Sequence, residues 1–205
     1  AEAADFGGPL VASAFIRQSQ IRYTNGNFQV AIENPESYGG DTSQDAMPDV
    51  VGKYTFNGDW GNISVAGVAR QLNTMGGESE SAFGYGVSGK IKTVGNDDFR
   101  FAFHGGNTGR YVGVVAARDL VGEEAEETTS YMVAYRHFWT DDMRSTVFYG
   151  STEADLADTK RNHVAINLFK NFTKQLSFGV EVGNFEMAEA SADSDYVQLT
   201  AKYVL

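Results

Sequence analysis

The sequence predicts an all-β chain, an antiparallel transmembrane β-barrel, and three observations carry that prediction. The first is the stretch from Tyr196 to Leu205. At period two it separates into an apolar set (Val197, Leu199, Ala201, Tyr203, Leu205) and a mostly polar set (Tyr196, Gln198, Thr200, Lys202, Val204). A strand this long, with one greasy and one wet face, suits a tilted crossing between lipid and water. The second observation is that the same alternation recurs along the chain. The third is that the connections alternate between short turns and long loops, as they do in outer-membrane barrels.

Composition agrees. The 205 residues include 23 Gly, 14 Phe and 10 Tyr but only 3 Pro, a mix that favours strands and suits one barrel domain over residues 1–205. No segment approaches the ~18 apolar residues of a spanning helix. Without cysteine there is no disulfide, thiolate or cysteine-held metal. A net charge of -11 argues against a nucleic-acid partner, which needs a basic face.

Taken in order, Ile21–Thr24 and Asn27–Glu33 flank Asn25-Gly26, the residues of a type I′ hairpin turn. After a polar loop over 34–48, Asp49–Phe56 sets Val50, Tyr54 and Phe56 against Val51, Lys53 and Thr55. A turn at Asn57-Gly58-Asp59 leads into Asn62–Leu72, and a loop over 73–81 into Ala82–Thr93. A turn near Gly95 precedes Phe99–His104, where Phe99, Phe101 and Phe103 oppose Arg100, Ala102 and His104. Residues 105–129 break the rhythm. Ser130–Trp139, Arg144–Ser151, Arg161–Lys170 and Leu176–Glu186 resume it, with loops expected over 152–160 and 187–195. The total is about eleven strands, whereas single-chain barrels usually have an even number. Either Tyr111–Arg118 is a further strand or N-terminal strands are missing; the second is preferred.

Two sets of residues carry the resemblance to a known family. Asp5-Phe6-Gly7-Gly8-Pro9, Arg17-Gln18-Ser19-Gln20-Ile21-Arg22-Tyr23-Thr24 and Ala31-Ile32-Glu33-Asn34-Pro35-Glu36 form the first; Gly109-Arg110-Tyr111 and Phe138-Trp139 form the second. In this order they resemble the C-terminal two thirds of DcaP-like porins of Gram-negative outer membranes. The resemblance implies a sixteen-stranded barrel assembled as a homotrimer and passing small anionic solutes, often dicarboxylates. The chain departs from the family in lacking the N-terminal strands and in ending on Leu205, where an aromatic is usual.

The candidate site consists of arginines. Arg22, Arg70, Arg100 and Arg136, with Arg144 a further candidate, share the parity opposite the aromatics and so face the lumen. There a guanidinium attracts and binds a carboxylate bidentately. The alternative is that they pair with Glu33 and Glu181 and stiffen the wall. Arg17 breaks the parity and is expected in a bulge or inward-folded segment; Arg110, in the longest loop, is a constriction candidate by analogy.

Other motifs carry less. Gly84–Lys90 imitates a phosphate loop, but Ile91 stands where Ser or Thr is required. The histidines lack metal-ligand spacing, and no nucleophile–base motif appears, so neither an enzyme nor a cofactor is expected. The acidic run Glu123–Glu127 is expected to be a solvated loop, with bridging to lipopolysaccharide through divalent ions the other reading. Outward Tyr23, Tyr54, Tyr135, Trp139 and Tyr203 are the expected interfacial girdle. The expectation is therefore an anion-selective porin, a transport channel of the outer membrane. A soluble β-sandwich binding module is the alternative.

Overall fold

The computed structural model of the chain describes residues 11–12, 16, 18–112 and 117–204. One antiparallel eleven-stranded sheet dominates. Its strands are β1 (Gln20–Asn25), β2 (Phe28–Glu33), β3 (Asp49–Gly58), β4 (Gly61–Asn73), β5 (Ser79–Lys92), β6 (Asp98–Gly106), β9 (Thr128–Phe138), β10 (Met143–Ala154), β11 (Thr159–Asn171), β12 (Leu176–Met187) and β13 (Ala192–Tyr203). Between β6 and β9 lie a single helical turn, α1 (Gly109–Val112), and a small hairpin of β7 (Leu120–Val121) and β8 (Glu124–Ala125). Each main strand pairs with its sequence neighbour, and β6 pairs with β9. Among the described residues β1 pairs only with β2 and β13 only with β12, so the sheet has two open edges.

The period-two reading of the faces holds along the sheet. One face carries buried Ala31, Asp49, Arg70, Ala82, Met132, Ala134, Phe148, Phe169 and Glu181. The other exposes Val65, Phe83, Tyr85, Ile166, Val180 and Leu199. An apolar face left bare over a whole sheet is costly in water and stable in lipid. The aromatics expected at the interface, Tyr23, Tyr54, Tyr135, Trp139 and Tyr203, all stand exposed on it.

Three loops are shorter than the sequence pattern suggests. The β4–β5, β10–β11 and β12–β13 connections shrink to residues 74–78, 155–158 and 188–191. The strict short/long alternation therefore reduces to two long connections, 34–48 and 107–127, both at the same end of the sheet. The reason is physical: backbone pairing continues beyond the apolar belt, where outward side chains such as Asn162, Asn184 and Asp195 turn polar. Apolar periodicity stops at the edge of the lipid; the ladder does not. The final strand accordingly starts at Ala192 rather than Tyr196.

Tyr111–Arg118 is not a further strand where it is described, since Tyr111 and Val112 belong to α1. The connection between β6 and β9 instead folds back across the inner face. Leu120 is fully buried against Leu72 and Ala82 of β4 and β5, and its neighbour Asp119 receives the Arg70 guanidinium. Glycine makes the approach feasible. A Cβ at Gly84 would overlap the Thr108 methyl, so the phosphate-loop look-alike is a strand thinned to admit the insertion. A second inward segment precedes β1: Val11 and Ala12 are fully buried, and Ala12 packs on Met132, Phe148 and Ala165 while its N–H donates to Thr152 Oγ1 at 2.9 Å.

Candidate functional site

The inner face divides into two charged regions built by different parts of the fold. Towards the end with the long loops lies a buried ionic network. Arg70 donates from Nε to Asp49 at 2.9 Å, bidentately to Asp119 at 2.5 and 2.9 Å, and to the carbonyl of Glu36 at 2.8 Å. Arg110 joins it, bonding Glu36 at 3.1 Å, Asp49 at 3.2 Å, the carbonyl of Asn34 and the side chain of Gln18. Tyr111 donates to Glu33 or Asp49, at 2.9 and 2.8 Å. Burial holds its hydroxyl well above the ordinary phenol range. Gln18 ties the segment before β1 to the same cluster through Glu33 and Tyr111.

This network corrects part of the sequence reading. Arg70 shares the inner parity as expected, but its side chain is 0% exposed and its donors are committed to carboxylates and a carbonyl. Arg110 has 4% side-chain exposure. Both therefore brace the insertion against the wall and present no free guanidinium to a solute. Glu126 corrects the solvated-loop expectation: it is fully buried and accepts the N–H groups of Leu156 and Ala157 at 2.8 Å each. Glu123 likewise accepts from Gly76 N–H at 3.1 Å. Glu123, Glu124 and Glu127 stand exposed, as expected of a solvated run, and Glu126 is the acid that pins a neighbouring loop.

Towards the end with the short turns the arrangement differs. Asp98 sits among Lys90, Arg100 and Arg136, whose nitrogens lie 3.6, 2.5 and 4.0 Å from its carboxylate. Lys90 and Arg100 by themselves outnumber this carboxylate, and Arg136 stands beside them. The pairing of β5, β6 and β9 sets Lys90 opposite Arg100 and Asp98 opposite Arg136, which makes the cluster a product of register. Arg22 stands opposite inward Ala31 and is exposed. Arg144 lies over the Phe169 ring at 5.0 Å. Arg17 lies outside the described residues.

The short turn before β6 is locked by a different acid. Asp97 accepts from Phe138 N–H at 2.8 Å and Tyr135 Oη at 2.9 Å, and lies 2.7 Å from His137 Nδ1. The Phe138 N–H and then His137 hold its carboxyl below the usual carboxylate range. Asp97, Asp98 and Asp119 do not stand out in the sequence, and Glu126 does so only as a member of the acidic run. Register alone could have found Asp98.

No protein-family model matches the chain, and no curated protein matches it. Solved structures do. The outer membrane channel DcaP of Acinetobacter baumannii superposes with a TM-score of 0.83 at 19% identity, over 99% of this chain and 68% of that one. An anion-selective porin from Comamonas acidovorans gives 0.65 at 11% identity, over 90% and 58% of the two chains. OmpT, an outer membrane protein of Vibrio cholerae, gives 0.56 at 13% identity, over 90% and 62%. The likeness is of backbone, over a chain that spans about two thirds of those structures or less, and the fold it shows is that of an outer-membrane porin barrel.

Proposed function

We propose that this chain forms part of the wall of a water-filled channel in a Gram-negative outer membrane, passing small anionic solutes such as dicarboxylates by passive diffusion without covalent chemistry. The observation that carries the reading is the pair Lys90 and Arg100, two cations on the single carboxylate of Asp98, with Lys90 45% exposed, on the inner face of a porin fold. Fixed positive charge beside a narrow aqueous path lowers the energy of an entering anion. The similar porin from Comamonas acidovorans is itself anion-selective, which supports the same preference here. Arg22 adds to the lining, while Arg70 and Arg110 hold the insertion that narrows the path.

The two open edges belong to the same proposal. Unpaired N–H and C=O groups are not tolerated in lipid, so strands beyond these 205 residues complete the ring. The resemblance to DcaP-like porins, rather than any contact of this chain, implies that the closed barrels associate as a homotrimer. Liposome swelling tests the whole reading. The complete protein should admit succinate severalfold faster than a neutral sugar of similar size, and the 205-residue chain alone should admit neither. Equal rates for both solutes would remove the anion preference; swelling with the 205-residue chain alone would remove the need for further strands.

A further inference from the structure

Charge on this chain is separated along the barrel axis. Among the described residues, the cations in the half nearer the long loops are Arg70, Arg110, Arg118, Lys160 and Arg161. Arg22 and Lys53 lie near the middle of their strands, and the other described Lys and Arg, including Lys90, Arg100 and Arg136, lie in the half nearer the short turns. Carboxylates divide the opposite way. Of the described carboxylates, Asp59, Asp97, Asp98, Asp141 and Asp142 lie in the short-turn half, and Glu181 sits between the two. The remaining described Asp and Glu crowd the other end, in the loops and in the polar strand extensions above the apolar belt.

Pairing does not cancel this separation. At the acidic end, Arg70 and Arg110 are spent on Asp49, Asp119 and Glu36, while exposed Glu124, Glu127 and Asp193 add to the excess. At the basic end, Lys90 remains 45% exposed beside Asp98, and between the two ends Lys53 and Arg22 stand on the inner face. The path thus runs from an acidic mouth into a basic throat.

Resting on the porin reading, we infer that the channel is a rectifier, conducting more current when the long-loop side is positive. With that polarity anions enter from the basic end and cations from the acidic end, so each ion is drawn in past fixed charges of opposite sign and both accumulate. Reversed, each must enter past fixed charge of its own sign, and the middle of the path is depleted. The effect needs charges that salt does not screen over the width of the path: the screening length is ~10 Å at 0.1 M and ~3 Å at 1 M. No moving gate is involved, because the asymmetry belongs to the static wall.

The test is a current–voltage curve of the complete protein, inserted in one orientation in a planar bilayer. Orientation is read by modifying an Asp158→Cys variant from one side. Expected is a current about twofold larger with the long-loop side positive at 0.1 M potassium chloride, fading to symmetry at 1 M as the screening length shortens. The Lys90→Ala/Arg100→Ala and Glu124→Gln/Glu127→Gln variants should each bring the ratio closer to one. A symmetric curve at 0.1 M, or larger current in the opposite direction, would overturn the inference while leaving the porin reading intact. An absence of conducting steps would remove both.

Discussion

Arg70→Met is expected to destabilise the folded protein by about 3–5 kcal/mol and to release the insertion between β6 and β9, because it takes the bidentate cation from buried Asp119 and leaves buried Asp49 to Arg110. Asp49 and Asp119 have side-chain exposures of 1% and 0%, and the guanidinium bonds both, with Arg110 a second, longer partner of Asp49 at 3.2 Å. Asp119 cannot reorient cheaply, since it also accepts the N–H groups of Tyr38 and Arg110, each at 3.0 Å. Methionine preserves most of the volume, so the loss reports charge and hydrogen bonding rather than a cavity. Removing both charges should cost less than removing one. An Arg70→Met/Asp119→Leu pair should recover part of the loss, since a buried ion pair exchanged for apolar groups is often near neutral. Thermal unfolding in detergent, followed by tryptophan fluorescence, measures stability, and limited proteolysis within residues 107–127 measures release. If Arg70→Met unfolds at the wild-type midpoint and resists the protease equally, the network does not hold the insertion.

The second large effect concerns selectivity. Lys90→Ala/Arg100→Ala removes two of the three cations around Asp98 and leaves Arg136 to balance it. Each unit charge lost at ~4 Å from the path raises the energy of a passing anion by about 1 kcal/mol in full water dielectric, and by more where the walls exclude water. About 1 kcal/mol corresponds to about fivefold in rate. The double variant should therefore admit succinate at least about fivefold more slowly while neutral sugars enter unchanged. A uniform slowing of both solutes would mean that the residues brace the wall. Unchanged succinate entry would mean that they are remote from the path.

How much of this is legible in the sequence follows from where periodicity applies. The strand faces are readable because lipid and water impose opposite demands at alternate positions. The Asp49–Arg70 pair is readable in principle, since the tight turn at Gly58 fixes the register of β3 and β4. Val50 pairs with Ala69, which leaves Asp49 and Arg70 side by side one step further on. The sequence nevertheless assigns Arg70 to solutes, because Asp119, its bidentate partner, comes from the one long stretch without a period. Nothing in residues 105–129 announces that the chain folds back along the inner face to reach β2–β4. The same lack of pattern conceals Glu126, whose partners are backbone N–H groups of another loop. The loops at 152–160 and 187–195 are overestimated because polar alternation above the lipid reads as loop although the ladder continues.

The claim that one face meets lipid and the other lines water is tested most directly by thiol accessibility, for which the native absence of cysteine is an advantage. Single cysteines replace Ser64 and Ser88 on the inner face, or Val65 and Val87 on the outer. The complete protein is reconstituted into liposomes and exposed to a charged, membrane-impermeant thiol reagent. Ser64→Cys and Ser88→Cys should react, whereas Val65→Cys and Val87→Cys should react only after detergent is added. Rapid reaction of the valine positions in intact liposomes, at the rate of the serine positions, would contradict the assignment of the two faces and favour a water-soluble sheet.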